Sequence, residues 1–284
     1  MLRIVMDGAG DIPEEWKAEY QIDVIPINIQ FEECTYLQGI DISNEDFYRF
    51  VDEKRMIPKT SQPTPQQFID FYRKIADPGD TILSVHVTQH LSGTYSSAVM
   101  AARELEGEYQ VVPIDSGNGS VGMGYMCRDA RRLDRAGMVL DKILKHLEYL
   151  REHIHIILTL DTLEYARLSG RVKTLQAALV SILDVKPIII LKEGMLAMAG
   201  RVRTRKRSFL QIIEEMRQRV GNQLVSAGVA HARDLAAGKE LLELVCARLN
   251  CKEVVLTELS IAVAANLGPG TVGIVAYPVK EGGE

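Results

Sequence analysis

The sequence predicts an α/β protein of two domains, an N-terminal domain on a mostly parallel sheet followed by a C-terminal α+β domain. Three observations carry this reading. Apolar runs of strand length alternate with helix-period segments up to about residue 160, the pattern of parallel strands joined by helical crossovers. Beyond Leu160 the texture changes to apolar runs paired across a tight turn, then helices and strands in no fixed alternation. The length of 284 residues also exceeds the usual size of one domain. The expected boundary lies near residue 160, giving domains 1–160 and 161–284. A ligand cleft is expected between them, because ligands favour domain clefts and the carboxyl ends of parallel strands.

Taken in order, "LRIVM" (2–6) reads as a buried strand, followed by a turn and a short helix opened by Pro13. "DVIPINIQF" reads as one extended segment, with Pro26 placing it at an edge or bulge. "SNEDFYRFVDE" starts a helix at the cap residue Ser43, and "TPQQFIDFYRKI" repeats the device with Thr64 at the cap and Pro65 at the first helical position. "TILSVHV" is the next buried strand. "SGTYSSAVMAARELE" is the helix after it, with Tyr95, Ala98, Val99, Ala102 and Leu105 on one face. "EYQVVPI" reads as a strand, residues 121–135 and 139–151 as helices, and "IHIILTL" (154–160) as the strand that closes the alternation.

In the second domain "VKPIIILKEGMLAMAGRVRT" reads as strands joined by a tight turn at Glu193-Gly194. An amphipathic helix follows, with Phe209, Ile212, Ile213, Met216 and Val220 on one face. Then come "QLVSAGVAH", a helix over 232–249, "CKEVVLTELS" and a final apolar "TVGIVAYPV".

A composition 46% hydrophobic and 25% charged is that of an ordinary globular protein. The net charge of −5 argues against a general nucleic-acid binder, which needs phosphate-neutralising basic surface. The opening "MLRIVMDGAG" reads as neither a signal peptide nor a transit sequence. The four cysteines, Cys34, Cys127, Cys246 and Cys251, form no C-x-x-C pair and no zinc cluster. Free thiols fit a reducing cytoplasm, so the chain is expected there, with no metal and no cofactor.

Two hydroxyl-rich junctions open helices. In "HLSGTYSSA" (90–98), Ser92 follows a strand and precedes a helix, so its ordinary role is the N-cap. Free N–H groups and hydroxyls at a helix start also attract an anion. A nucleophile elbow would need G-x-S-x-G, which is not present here. In "KTSQPTP" (59–65), Thr60 and Ser61 lie upstream of the Thr64 cap and are not needed for it. Both junctions lead into helices of the same layer, so they can converge on one anionic group.

Other features divide between structure and function. Asp11 reads as a helix cap ahead of Pro13, and Asp7 either orients its loop or accepts a hydrogen bond from a ligand hydroxyl. "PIDSGNGSVGMGYM" lacks the Lys-Ser/Thr of a P-loop. Its small residues suit either close helix–sheet packing or the passage of an acyl chain flanked by Met123 and Met126. "RVRTRKR" (201–207) carries five cations in seven residues. Such a run is ordinarily a solvated face; in an acidic chain it also suits an acidic partner or transient contact with a membrane surface. His153 and His155 read as structural.

Read in order, "IVMDGAGDIP", "DVIPINI", "KTSQPTPQQF", "LSGTYSSA", "VVPIDSGNGSVGMG", "DTLEYARLSGRV", "VKPIIILKEG", "GRVRTRKRS" and "LGPGTVGI" resemble the DegV family of bacterial fatty-acid-binding proteins, carrier subunits of fatty acid kinases. The resemblance spans essentially the whole chain. It implies a two-domain protein that buries a long-chain fatty acid between its domains and performs no chemistry itself, a separate kinase subunit phosphorylating the presented carboxylate. By resemblance the carboxylate is held by Thr60 and Ser92, with Ser61 beside them. Arg171, Arg203 and Asn266 are implied in the head-group network or the surface that meets the kinase. Asn266 stands where the family commonly carries a histidine, and an asparagine cannot carry charge or shuttle a proton. "MDG" replaces "TDS", and "SGRV" replaces "GGRI". The alternative reading is an enzyme, a small-molecule phosphotransferase or a serine hydrolase using Ser92.

Overall fold

The computed structural model describes residues 1–171 and 185–279. By its contacts the chain divides into two units. The first comprises Met1–Arg151 with Ser260–Ala265, and the second Glu152–Leu259 with the residues from Asn266 onward. The mixed α/β class and the contrast between a parallel and an α+β half are as the sequence predicts.

In chain order the first unit opens with β1 (Leu2–Asp7), α1 (Glu14–Glu19), β2 (Ile22–Ile25), β3 (Asn28–Phe31), β4 (Cys34–Leu37) and α2 (Asn44–Lys54). It continues with β5 (Lys59–Ser61), α3 (Pro65–Ile75), β6 (Thr81–His86), α4 (Thr94–Glu104), β7 (Gln110–Asp115), α5 (Ser120–Arg135) and α6 (Leu140–His153). Strands β2-β1-β6-β7 form a sheet in that order, every pair parallel. Asp7 is paired with Ile25 and His86 with Asp115, so the carboxyl ends of the strands lie along one edge.

Pro26 ends β2 because it has no N–H for the ladder. The segment expected as one strand therefore divides, and β3 joins a small antiparallel sheet of order β4-β3-β5. Helices α3 and α4 share one core on a face of the parallel sheet, where Phe68, Tyr72, Ala98, Ala101 and Leu105 meet Val5 and Ile82. Both expected caps form, each completed as a capping box, Ser43 with Asp46 at α2 and Thr64 with Gln67 at α3, and Pro65 opens α3.

The second unit contains β8 (His155–Thr159), α7 (Glu164–Ser169), β9 (Lys186–Lys192), β10 (Met195–Val202) and α8 (Arg205–Val220). It goes on through β11 (Val225–His231), α9 (Leu235–Arg248), β12 (Cys251–Glu258) and β13 (Val272–Pro278); α10 (Ile261–Leu267), which precedes β13 in the chain, belongs to the first unit up to Ala265. The sheet order is β10-β9-β8-β13-β11-β12, with only β11 and β12 parallel. Glu193 (φ 52°) and Gly194 (φ 73°) make the tight turn between β9 and β10, both in the left-handed region a two-residue hairpin loop requires. The apolar stripe of α8 packs with Leu241 and Val245 of α9 against Val229, Val272 and Ile274.

Strand β8, expected to close the first alternation, instead pairs antiparallel with β13 and β9. A continuous apolar run specifies that a strand is buried on both faces, not which strands flank it. No helix among the described residues is long and apolar enough to cross a membrane.

Candidate functional site

The carboxyl edge of the parallel sheet is organised from below by Asp7, which is fully buried. Its Oδ1 accepts from the Ala9 N–H at 2.9 Å and its Oδ2 from the Val87 N–H at 2.9 Å. The same Oδ2 lies 3.3 Å from Nδ1 of His86, which is also fully buried and makes a T-shaped contact with Phe68 at 5.2 Å. Asp7 thus orients its own loop and fixes where the chain leaves β6. Beside it Tyr72 donates to Ser84 at 2.8 Å, and burial drives the Tyr72 phenol well above its ordinary value.

The loop that Asp7 anchors carries Ser92. The first turn of α4 begins at Gly93, whose carbonyl accepts from the Ser97 N–H at 3.0 Å, so the cap position is a glycine with no side-chain cap. Ser92, expected at that cap, sits one residue earlier. Its Oγ accepts from the Thr94 N–H at 3.3 Å and pairs with Thr94 Oγ1 at 2.8 Å. As at any helix start, the first N–H groups of α4 have no acceptor within the helix. Half-buried Ser92, buried Thr94 and buried Ser97 therefore cluster around a helix N-terminus whose cap residue has no side chain and whose first N–H is held by Ser92.

The second junction reaches the same place through Gln62. Its Nε2 donates to Ser97 Oγ at 3.2 Å, and its amide lies over Gly93, where an added Cβ would fall 2.3 Å from Oε1. The backbone beneath is held by Asn28, whose Nδ2 donates to the Gln62 carbonyl at 3.1 Å and which exchanges a second bond with Gln67. Thr60 and Ser61 lie just upstream on β5, paired with Ile29 and Asn28. Successive strand residues point to opposite faces, so Thr60, half-buried, and Ser61, exposed, face apart. Gln62, Thr94 and Ser97 were not singled out from sequence, although all three lie inside the two quoted junctions.

Arg171, Arg203 and Asn266 belong to the second unit. Arg171 follows the left-handed Gly170 that ends α7, donates from Nη1 to the Ser169 carbonyl at 2.7 Å, and is held below its ordinary pKa by burial. Arg203 is exposed between β10 and α8, and Asn266 is half-buried in the last turn of α10. Of the cationic run 201–207, Arg205 serves the fold: its Nη2 donates to Asp234 at 3.0 Å and to the Gly270 carbonyl at 2.5 Å, tying the "GPG" turn to the cap of α9.

One further expectation changes. Asp11 does not cap α1, which has no side-chain cap. Its Oδ1 accepts from the Ser260 N–H at 2.7 Å at the start of α10, and Oδ2 accepts from Ser120 Oγ at 2.5 Å. In the glycine run, an added Cβ on Gly124 would fall 2.3 Å from Ile12 Cγ2 and 2.8 Å from the Asp11 carbonyl. That glycine serves close packing of α5 on the loop after β1. Among the described residues no group of three His, Cys, Asp or Glu side chains is placed to hold a metal ion.

Chemically, the first unit offers hydroxyls, an amide and the helix-start N–H groups beyond Thr94, a set suited to a carboxylate. Among the described residues Ser92 has no hydrogen bond to a histidine or an acid that would activate it as a nucleophile.

Comparison with known proteins gives a concordant result. A family model described as an uncharacterised protein of the DegV family matches residues 1–279. A DegV domain-containing protein of Deinococcus radiodurans is 31% identical, the alignment covering 98% of this chain and 99% of the relative. A DegV family structure from Thermus thermophilus, described by its fatty acid binding, aligns with a TM-score of 0.88 and 32% identity over 98% of this chain and 99% of its own. A stearic acid-binding protein from Eubacterium ventriosum aligns with a TM-score of 0.89 and 25% identity over 98% of each chain.

Proposed function

The chain belongs to the DegV family, and from that premise we propose that it is a non-enzymatic carrier that binds a long-chain fatty acid and presents the carboxylate to a separate kinase. The observation that carries the reading is the convergence of the two hydroxyl junctions, Gln62 of the first reaching over Gly93 to Ser97 of the second. Around that point Thr60 and Ser92 anchor the carboxylate. Hydroxyl and backbone donors suffice to hold a carboxylate, and binding needs no general base. Burial of the acyl chain supplies the affinity, at about 0.8 kcal/mol per methylene. The fatty-acid ligands of its structural neighbours support the same ligand class.

In this reading the kinase transfers the terminal phosphoryl group of a nucleoside triphosphate to a carboxylate oxygen, the nucleoside diphosphate departs as the leaving group, and the acyl phosphate stays with the carrier. Arg171, Arg203 and Asn266 serve the surface toward the kinase or the outer head-group network, and Asn266 takes part only as a neutral hydrogen-bonding group. Carrier and kinase meet in the cytoplasm, with transient contact at a membrane surface where fatty acid is collected.

The test is extraction of the purified protein followed by mass spectrometry, then reloading with palmitate or oleate. A fatty acid is expected in the extract, and the Thr60→Ala/Ser92→Ala double variant is expected to retain it at least about tenfold less tightly. A protein that is empty and refuses both added acids overturns the proposal.

A further inference from the structure

Gln62 is held with a specificity that an exposed glutamine does not ordinarily have. Its backbone carbonyl accepts from Asn28, the buried Pro63 follows it and restricts its backbone, and its amide lies flat on Gly93 with Nε2 bonded to Ser97 Oγ. Gly93 has φ −80° and ψ 7°, a conformation open to any residue, so the glycine answers to the amide pressed against it and not to backbone strain. Ordering a long side chain costs conformational entropy, and one bond to a serine is a modest return for it. The second amide N–H has no hydrogen-bond partner among the described residues. The amide that carries it lies against Gly93, the residue after Ser92, where the two hydroxyl junctions meet.

We infer that Gln62 is a third donor to the ligand carboxylate, and the residue that makes the site prefer a carboxylate to an uncharged head group. The inference rests on the carrier reading above. A hydroxyl serves an alcohol, an ester or an acid with little distinction, because it both donates and accepts. The free N–H of a primary amide only donates, and its bond strengthens when the acceptor is charged. It does so without bringing a cation into the site, so it adds selectivity with no fixed positive charge to desolvate beside the acyl chain.

The experiment measures binding of palmitate and of 1-hexadecanol, by displacement of a fluorescent fatty acid, to the full chain and to Gln62→Ala, Gln62→Glu, Gly93→Ala and the Gln62→Ala/Gly93→Ala pair. In Gln62→Ala the preference for palmitate over hexadecanol is expected to fall about tenfold, the worth of one hydrogen bond to a charged group, with hexadecanol affinity within about twofold of wild type. Gln62→Glu sets a second carboxylate beside the first. Its preference falls further at pH 8 and recovers toward pH 6, a profile that Gln62→Ala does not have. Gly93→Ala pushes the amide away, so it reproduces the Gln62→Ala loss and adds less than about twofold on top of it, the non-additivity of two changes to one contact. Equal losses for both ligands, an unchanged preference in Gln62→Ala, or additive effects of the pair overturn the inference alone. A wild-type protein that binds neither ligand overturns the carrier reading and the inference with it.

Discussion

Helices α3 and α4 are both 11 residues long, share one face of the parallel sheet and follow hydroxyl-rich loops, yet their first turns are built differently. At α3 the Thr64 side chain accepts from the Gln67 N–H at 3.1 Å and the Gln67 amide oxygen accepts from the Thr64 N–H at 2.9 Å. Both polar groups are used by the fold. At α4 the cap is Gly93, and the nearby hydroxyls bond to each other and to Gln62. A glycine cap gives up only roughly a few tenths of a kcal/mol relative to serine or threonine, and beyond the Thr94 N–H, which Ser92 Oγ holds, it leaves first-turn donors available for something else. The difference separates a structural hydroxyl from one that a ligand can use, a distinction that composition does not draw.

The comparison is broken most severely at Asp7. Asp7→Leu leaves the Ala9 and Val87 N–H groups without their acceptor at a fully buried position. It is expected to cost about 3 kcal/mol or more in urea denaturation, the sum of two orphaned donors. A loss below about 1 kcal/mol would mean that the loop carrying Ser92 does not depend on that carboxyl group. The next effect is a crossover. Thr64→Ala should lower stability by about 1 kcal/mol and leave fatty-acid retention within about twofold, while Ser92→Ala should do the reverse, changing stability by less than about 0.5 kcal/mol and weakening retention about tenfold. Matching behaviour of the two variants would erase the distinction between the helix starts.

The smallest effect concerns Thr60 and Ser61, adjacent on β5 and facing apart. Thr60→Ala should weaken retention severalfold and Ser61→Ala by less than about twofold, measured in the same displacement assay. The opposite order would put the ligand on the other face of β5.

Much of this region was legible because its causes are local. Ser43 and Thr64 meet their capping partners three residues on, and Pro65 and Glu193-Gly194 act through their own backbone preferences. Thr60 and Ser61 stood out because they lie upstream of the Thr64 cap and exceed what capping requires. What escaped detection depends on distant residues. Asp11 looked like the cap of the helix next to it, but its partner is Ser260, 249 positions away. Gln62 finds Ser97 only because β5 and α4 are brought together across 35 positions. Arg205 resembled its neighbours in a cationic run until Asp234 and Gly270 were placed beside it.

By itself the sequence determined the two-domain α/β class, the capped helices, the hydroxyl junctions and the family, since each is written in periodicity, in pairs a few residues apart or in the order of short motifs. Only the tertiary structure decided that β8 pairs with β13 and β9, that Asp11 holds α10, and that Gly93, not Ser92, begins α4 beneath the Gln62 amide. Strand partnership and long-range hydrogen bonds are properties of pairs of segments, and they are settled by which buried faces and polar groups satisfy one another once the chain is compact.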